Sequence, residues 1–176
     1  ENNRDATNYS SGSSAVTVYN DSSSKCSTFT MTGGVIRGNT GASGAVYVRS
    51  TKTQCPTAFI MTGGEISGNE NTSGTGGGIR ADGYFGELKL TGGVITGNIS
   101  KNSAGGVYTG GSSSNKITIN GTQIYGNTSG DGKGNDVYFE GNSQVLALRN
   151  PAEYGMDAYD CWHDDLGGGD YPQTDF

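Results

Sequence analysis

An eleven-residue motif recurs four times in this chain at almost constant spacing. Its copies begin at Phe29, Phe59, Leu88 and Ile117, so that successive starts are 30, 29 and 29 residues apart. Each copy contains alternating apolar residues and ends in the pattern Ile-x-Gly-Asn. A fixed period of this length is typical of solenoid proteins, in which each repeat packs only against its neighbours.

Three short apolar runs in each repeat are predicted to be β-strands, because apolar and polar residues alternate in them. In the first copy the runs contain Phe29 and Met31, then Ile36, then Val46. Identical positions in stacked coils lie about 4.8 Å apart and build a continuous apolar core. The repeat therefore predicts an all-β fold, a single-stranded parallel β-helix of about five coils of 29–30 residues with three short strands per coil. Parallel crossovers favour a right-handed winding.

Composition and charge divide the chain into two parts. Gly, Ser, Thr and Asn make up 85 of the 176 residues, and Gly and Asn are poor helix formers. Residues 1–150 carry 11 basic and 10 acidic residues, a net charge of +1, whereas residues 151–176 carry seven acidic residues and no Lys or Arg. We assign residues 1–150 to the β-helix and residues 151–176 to an acidic, aromatic tail that caps the last coil or docks on another subunit.

Several classes of function are disfavoured by the sequence. The β-helix part lacks the basic stripe of nucleic-acid-binding proteins, and no apolar run is long enough to insert into a membrane. Acid–base hydrolysis needs a pair of carboxylates, but Glu65 is the one acidic residue beside the second strands. Asp82 and Glu87 flank Tyr84 and Phe85 in a predicted solvated loop. We therefore expect no enzyme activity, no cofactor and no metal site.

Asparagine occupies one position in four consecutive copies of the motif. These residues are Asn39, Asn69, Asn98 and Asn127. Stacked side-chain amides can satisfy turn backbone groups and one another, which predicts an internal asparagine ladder. A contact with a metal or a substrate is the alternative.

The three cysteines are Cys26, Cys55 and Cys161. Cys26 and Cys55 lie one repeat apart, just before the first strand of successive coils, so stacking brings them close enough to form a disulfide. A disulfide implies an oxidising, extracellular setting. Free thiols or a metal site are the alternatives for this pair. Cys161 is left over, either free or paired between chains.

The third strands carry a row of polar aromatic residues next to their inward valines and isoleucine. Stacked coils align them into a stripe, which is predicted to face outwards: Tyr47, Arg80, Tyr108 and Tyr138. Aromatic rings with an arginine can hold glycans or protein partners by stacking and cation–π contacts. The alternative is a ladder that stabilises only the coils themselves.

The Ile-x-Gly-Asn endings, followed by Gly-Gly-Val-Tyr at 105–108, resemble the glycine-rich repeats of large bacterial surface proteins and adhesins. They are also similar to the repeats of chlamydial polymorphic membrane proteins, with Ile36 and its equivalents in place of Phe. The resemblance covers about residues 8–148 and implies a right-handed parallel β-helix of the pectate-lyase-like type at the cell surface.

These features together predict a non-enzymatic bacterial surface module, secreted or displayed on the cell, that contacts glycans or protein partners. One alternative is a subunit that assembles head to tail into an extracellular filament. A second is a carbohydrate-active enzyme of the pectate-lyase type, which the missing carboxylate pair disfavours.

Overall fold

The computed structural model describes residues 14–112 and 114–140, together with the backbone of residues 144–148. The acidic tail at 151–176 and Cys161 lie outside the described residues. In chain order the strands of the described residues are β1 (Val16–Asn20), β2 (Thr28–Arg37), β3 (Thr40–Gly41), β4 (Val46–Ser50), β5 (Ala58–Ser67), β6 (Glu70–Asn71), β7 (Ile79–Gly83), β8 (Glu87–Thr96), β9 (Ile99–Ser100), β10 (Val107–Thr109), β11 (Lys116–Ile119), β12 (Gln123–Tyr125), β13 (Thr128–Ser129), β14 (Val137–Phe139) and β15 (Gln144–Leu148).

The strands form three parallel sheets. The five-stranded sheet has the order β1-β4-β7-β10-β14, and the long-strand sheet has the order β2-β5-β8-β11-β15, with β12 also paired to β8. The corner sheet contains β3, β6, β9 and β13. Neighbouring strands are about one repeat apart in sequence, so the chain winds as a parallel β-solenoid of about four turns. The predicted fold class is therefore confirmed.

The first two predicted strands of a coil are one bent strand in most of the solenoid. β2, β5 and β8 each have ten residues, with a Gly-Gly pair inside them. The second glycine of each pair has a positive φ, as at Gly64 (+98°), which a side chain would strain. The pairing of β2 with β5 shifts register at this point, as at a β-bulge.

Each coil turns at the glycine of its Ile-x-Gly-Asn ending. The φ values at Gly38, Gly68, Gly97 and Gly126 lie between +58° and +64°. A two-residue strand of the corner sheet begins just after the asparagine that follows this glycine. Three strands per coil are confirmed, but their boundaries differ from the prediction, because two residues are too few to show an alternating pattern.

The core is a column of inward side chains from successive coils. Phe59, Leu88 and Ile117 are fully buried and lie in register. The rings of Phe29 and Phe59 stack with their centroids 5.5 Å apart. The predicted column of identical positions is therefore present.

Phe85 belongs to this core, although the sequence placed it in a solvated loop. Its side chain is fully buried in the main hydrophobic cluster. The cluster also contains Ala81 of β7, which pairs with the larger Val48 of β4. The connection between β7 and β8 therefore contributes an apolar side chain to the core, in addition to those of the strands. The loop prediction was also wrong for Asp82, which lies within β7, and for Glu87, which begins β8.

Cys26 and Cys55 form the predicted disulfide, with their Cα atoms 4.7 Å apart. The bond joins the segments that precede β2 and β5 and so links two successive coils. The side chains of Asn20 and Ser50 both donate hydrogen bonds to the carbonyl oxygen of Cys55. Residues at the ends of β1 and β4 therefore hold the same corner that the disulfide closes.

Candidate functional site on the five-stranded sheet

The predicted stripe lies in continuous register across the five-stranded sheet. Tyr47 pairs with Arg80, Arg80 with Tyr108, and Tyr108 with Tyr138. Strand alternation sets the stripe on the side away from the core, because the residue before each member belongs to the core cluster. We call these four residues the Tyr–Arg stripe.

The stripe is less accessible than its outward orientation suggests. Tyr47 and Tyr108 are only 4% and 8% exposed. A Cβ atom at Gly110 would lie 2.7 Å from the hydroxyl oxygen of Tyr108, so the Tyr108 ring extends along the sheet over this glycine. The ring also stacks on Tyr138, with a centroid distance of 6.3 Å. The two tyrosines therefore lie against the sheet and cover it.

A second row of residues, two positions further along each strand, completes the site. Tyr19 pairs with Arg49, and Arg49 pairs with Asp82. Gly110 and Glu140 follow at the same offset from Tyr108 and Tyr138. The sequence analysis missed this row, although the period of two in the third strands was a signal that could have found it.

Asp82 is the centre of a polar network that joins the two rows. Its carboxylate accepts hydrogen bonds from Arg80 Nε at 2.9 Å and from the Tyr47 hydroxyl at 3.2 Å. It also forms ion pairs with Arg80 at 2.9 Å and with Arg49 at 3.3 Å. The Arg80 guanidinium lies 5.4 Å from the centroid of the Tyr47 ring, within cation–π range. Several polar groups of the stripe are thus satisfied by one another.

The exposed parts of the face lie around this network. The Tyr19 residue is 47% exposed and the Arg49 side chain 43% exposed. Tyr138 is half-buried at the other end of the stripe. These groups can stack on a flat apolar ring or donate hydrogen bonds to an oxygen-rich ligand, whereas Tyr47 and Tyr108 offer little surface to a ligand.

Two hydroxyl groups of the stripe are held in their neutral form. Burial raises the pKa of Tyr47, and the hydrogen bond from Arg49 opposes this effect. Burial and the hydrogen bond that Tyr108 donates to Glu140 raise the pKa of Tyr108 well above its usual range. The neutral phenol is favoured in the folded state, so this contribution to stability is present below about pH 10 and is lost as the pH rises above it.

We expect Tyr108→Phe to flatten the alkaline stability curve. A phenylalanine cannot ionise, so the variant should avoid a loss of up to about 1.4 kcal/mol per pH unit above about pH 10. Denaturant unfolding at pH 8 to 12 measures the slope. Tyr125→Phe, which removes a hydroxyl from the long-strand sheet, is the matched control. Parallel curves for Tyr108→Phe and the native chain would contradict the assignment.

The asparagine ladder is present and internal. Asn39 Nδ2 donates to Asn69 Oδ1 at 2.9 Å, Asn69 Nδ2 to Asn98 Oδ1 at 2.8 Å, and Asn98 Nδ2 to Asn127 Oδ1 at 2.9 Å. Each of these oxygens also accepts the backbone N–H of the preceding ladder residue. All four side chains are buried, so the ladder holds the coils together and is closed to a ligand.

Glu65 is the carboxylate that the sequence analysis singled out on the long-strand sheet. Its side chain is half-buried and accepts a hydrogen bond from the Ser67 hydroxyl two residues along the same strand. Across the part of the chain that the structure describes, no three His, Cys, Asp or Glu side chains are grouped as metal ligands would be.

In the same residues, no helix has the length and apolar character needed to cross a membrane.

No protein-family model matches the chain, and no characterised protein or solved structure is significantly similar to it. The molecule is therefore identified by its architecture, a parallel β-solenoid with an internal asparagine ladder.

Proposed function

We propose that this chain is a non-enzymatic structural or adhesive module that acts outside the cell. The observation that carries the proposal is the way in which successive coils are joined. The asparagine ladder, the disulfide and the Asp82 network each link side chains of different coils. A stack with cross-coil contacts on several sides is a stiff support, on which exposed side chains keep fixed relative positions.

The disulfide supports the extracellular setting. Disulfides persist in oxidising compartments and are rare in the reducing cytosol. The resemblance of the repeats to bacterial surface proteins points to the same setting. On this basis the module is secreted or displayed at a bacterial cell surface.

Glycans or protein surfaces are the proposed partners. The accessible part of the five-stranded sheet offers the Tyr19 ring beside the Arg49 guanidinium, with Tyr138 at the far end. Aromatic rings stack on sugar rings, and a guanidinium donates hydrogen bonds to hydroxyl or carboxylate oxygens. The proposed contact surface is therefore formed by Tyr19, Arg49 and Tyr138. The buried residues Tyr47 and Tyr108 are not part of it.

An array of neutral and uronic-acid-containing oligosaccharides tests this surface. We expect Tyr19→Ala and Tyr138→Ala to weaken capture about three- to tenfold, because each removes an exposed or half-buried ring from the five-stranded sheet. Tyr125→Ala is the matched control, since it removes a 37% exposed tyrosine from another sheet. Equal losses in all three variants would contradict the proposed surface. Turnover of a polysaccharide that disappears in Glu65→Gln would favour the lyase alternative.

The native molar mass separates the module from the filament alternative. Light scattering after size exclusion should give a monomer near 18.1 kDa both with and without reductant. Large polymers would favour a filament subunit. Polymers that disappear with reductant and in Cys161→Ser would identify this thiol as the link between subunits.

A further inference from the structure

The two residues before the third strand are small in the earlier coils, Gly44–Ala45 before β4 for example, and become larger and polar before β14. Gly77 and Gly78 precede β7, and Gly105 and Gly106 precede β10. At the same place before β14 the chain has Asn135–Asp136. This replacement occurs at the corner where the asparagine ladder ends.

Gly78 and Gly106 are both closely approached by the coil that follows them. A Cβ atom at Gly78 would lie 2.8 Å from the carbonyl oxygen of Gly106 and 3.1 Å from Asn98 Nδ2, both in the next coil. A Cβ atom at Gly106 would lie 2.9 Å from Asn127 Nδ2. A side chain at either of these two glycines would therefore enter space that the following coil occupies.

Asp136 fills that space in the last coil. Its side chain is buried, at 1% exposure, and Oδ1 accepts hydrogen bonds from Asn127 N at 3.0 Å and from Asn127 Nδ2 at 2.8 Å. Asn127 Oδ1 accepts the same two groups from Asn98, both at 2.9 Å. Asp136 thus supplies to Asn127 what the next ladder asparagine would supply.

The Asn135 side chain has a similar role at the neighbouring position, where it takes the place of a following strand. Its Oδ1 accepts hydrogen bonds from Ser129 N at 2.8 Å and from Ser129 Oγ at 2.9 Å. Ser129 belongs to β13, the last corner-sheet strand among the residues that the structure describes. A parallel strand beyond β13 would present backbone oxygens to this edge, and the Asn135 side chain presents one instead.

The direction of the ladder explains why an acid fits at its end. Each side-chain amide donates one N–H to the ladder oxygen of the following coil, so the last amide of the series needs an acceptor on that side. A carboxylate has acceptors only, which suits this terminal position. No asparagine stands one repeat further on, where steps of 29 and 30 residues after Asn127 reach Met156 and Asp157.

We propose that Asn135 and Asp136 form a corner cap that takes the place of a fifth corner strand and ends the asparagine ladder. The cap is a device of this chain and is independent of the proposed function. It accepts hydrogen bonds from the N–H groups of Asn127 and Ser129, which an open sheet edge would leave available for the addition of another strand.

Amide hydrogen exchange, resolved by residue in the full chain, tests the cap. Asp136→Ala should speed the exchange of the Asn127 amide by about tenfold or more, and Asn135→Ala should do the same at Ser129. The Thr128 and Gly130 amides are internal controls, because they donate to Asn98 and Ser100 in the preceding coil. Both should keep their protection in either variant.

Asp136→Asn is the matched variant that restores an acceptor at the same place. It should leave the Asn127 amide within about threefold of the native rate, since an amide oxygen serves this role in every earlier coil. Equal acceleration at Asn127 and Thr128 in Asp136→Ala, or no change at Asn127, would overturn the proposal. If Asp136→Ala fails to fold, the Ser129 amide in Asn135→Ala decides the question in the same way.

Discussion

Replacing Asn98 by Ala should lower the free energy of unfolding by about 4 kcal/mol, the largest effect we expect from a single polar substitution in this chain. The Asn98 side chain is fully buried in the middle of the ladder. It donates to Asn127 Oδ1 and to the carbonyl oxygen of Ile66, and it accepts two hydrogen bonds from Asn69. Alanine leaves the Asn69 backbone N–H and one N–H of the Asn69 amide without their acceptor, and it removes one donor each from Asn127 Oδ1 and the Ile66 carbonyl oxygen. Denaturant unfolding measures the loss.

Two further variants separate the ladder from general effects of substitution. Asn98→Asp puts a buried carboxylate oxygen against Asn127 Oδ1 and the Ile66 carbonyl oxygen, two acceptors with no N–H between them, so it should destabilise at least as much as alanine. Thr96→Ala, two residues earlier in β8 on the outward side, should change stability by less than about 0.5 kcal/mol. If Asn98→Ala and Thr96→Ala cost the same, the ladder is not an important source of stability.

Breaking the disulfide should cost about 3.5 kcal/mol, the second largest expected effect. The bond closes a loop of 29 residues, and the cost follows from the chain entropy that the unfolded state regains. For a chain of this size the loss corresponds to a fall in the melting temperature of about 10 °C. Scanning calorimetry of the double variant Cys26→Ser, Cys55→Ser measures it.

Cys161→Ser is the control for this experiment, because it removes a thiol and leaves the bonded pair intact. It should melt at the temperature of the native chain, and reductant should lower its melting temperature as much as the double substitution does. A double variant that melts at the native temperature would mean that the Asn20 and Ser50 hydrogen bonds hold the corner without the disulfide.

The parts of the fold that repeat were predictable from the sequence. The spacing of Phe29 and its equivalents gave the parallel coils, because only stacking lets such short strands bury their apolar side. The same spacing placed Asn98 between its ladder neighbours and brought Cys26 to Cys55. Each of these contacts joins equivalent or nearly equivalent positions, so one period is sufficient to predict all of them.

The parts that depart from the repeat were not predictable in this way. Phe85 enters the core from a connection between strands, and no neighbouring copy carries a Phe at that position. Tyr108 faces outwards by alternation but is covered, because Gly110 leaves room for its ring to lie along the sheet. Asp136 bonds to Asn127, nine residues away, where the pattern predicts a partner 29 residues away. Strand alternation and the repeat period predict neither the conformation of a side chain nor the contacts that end the asparagine ladder.

The coils between the disulfide and the corner cap share one plan of strands and turns, with the disulfide near one end of the described stack and the cap near the other. A unit of 29 residues can therefore be lost or duplicated in the middle of the gene while both ends keep their contacts. Each such event shortens or lengthens the stack by about 4.8 Å, the distance between adjacent strands. The length of the stack is thus open to change in whole steps of one coil.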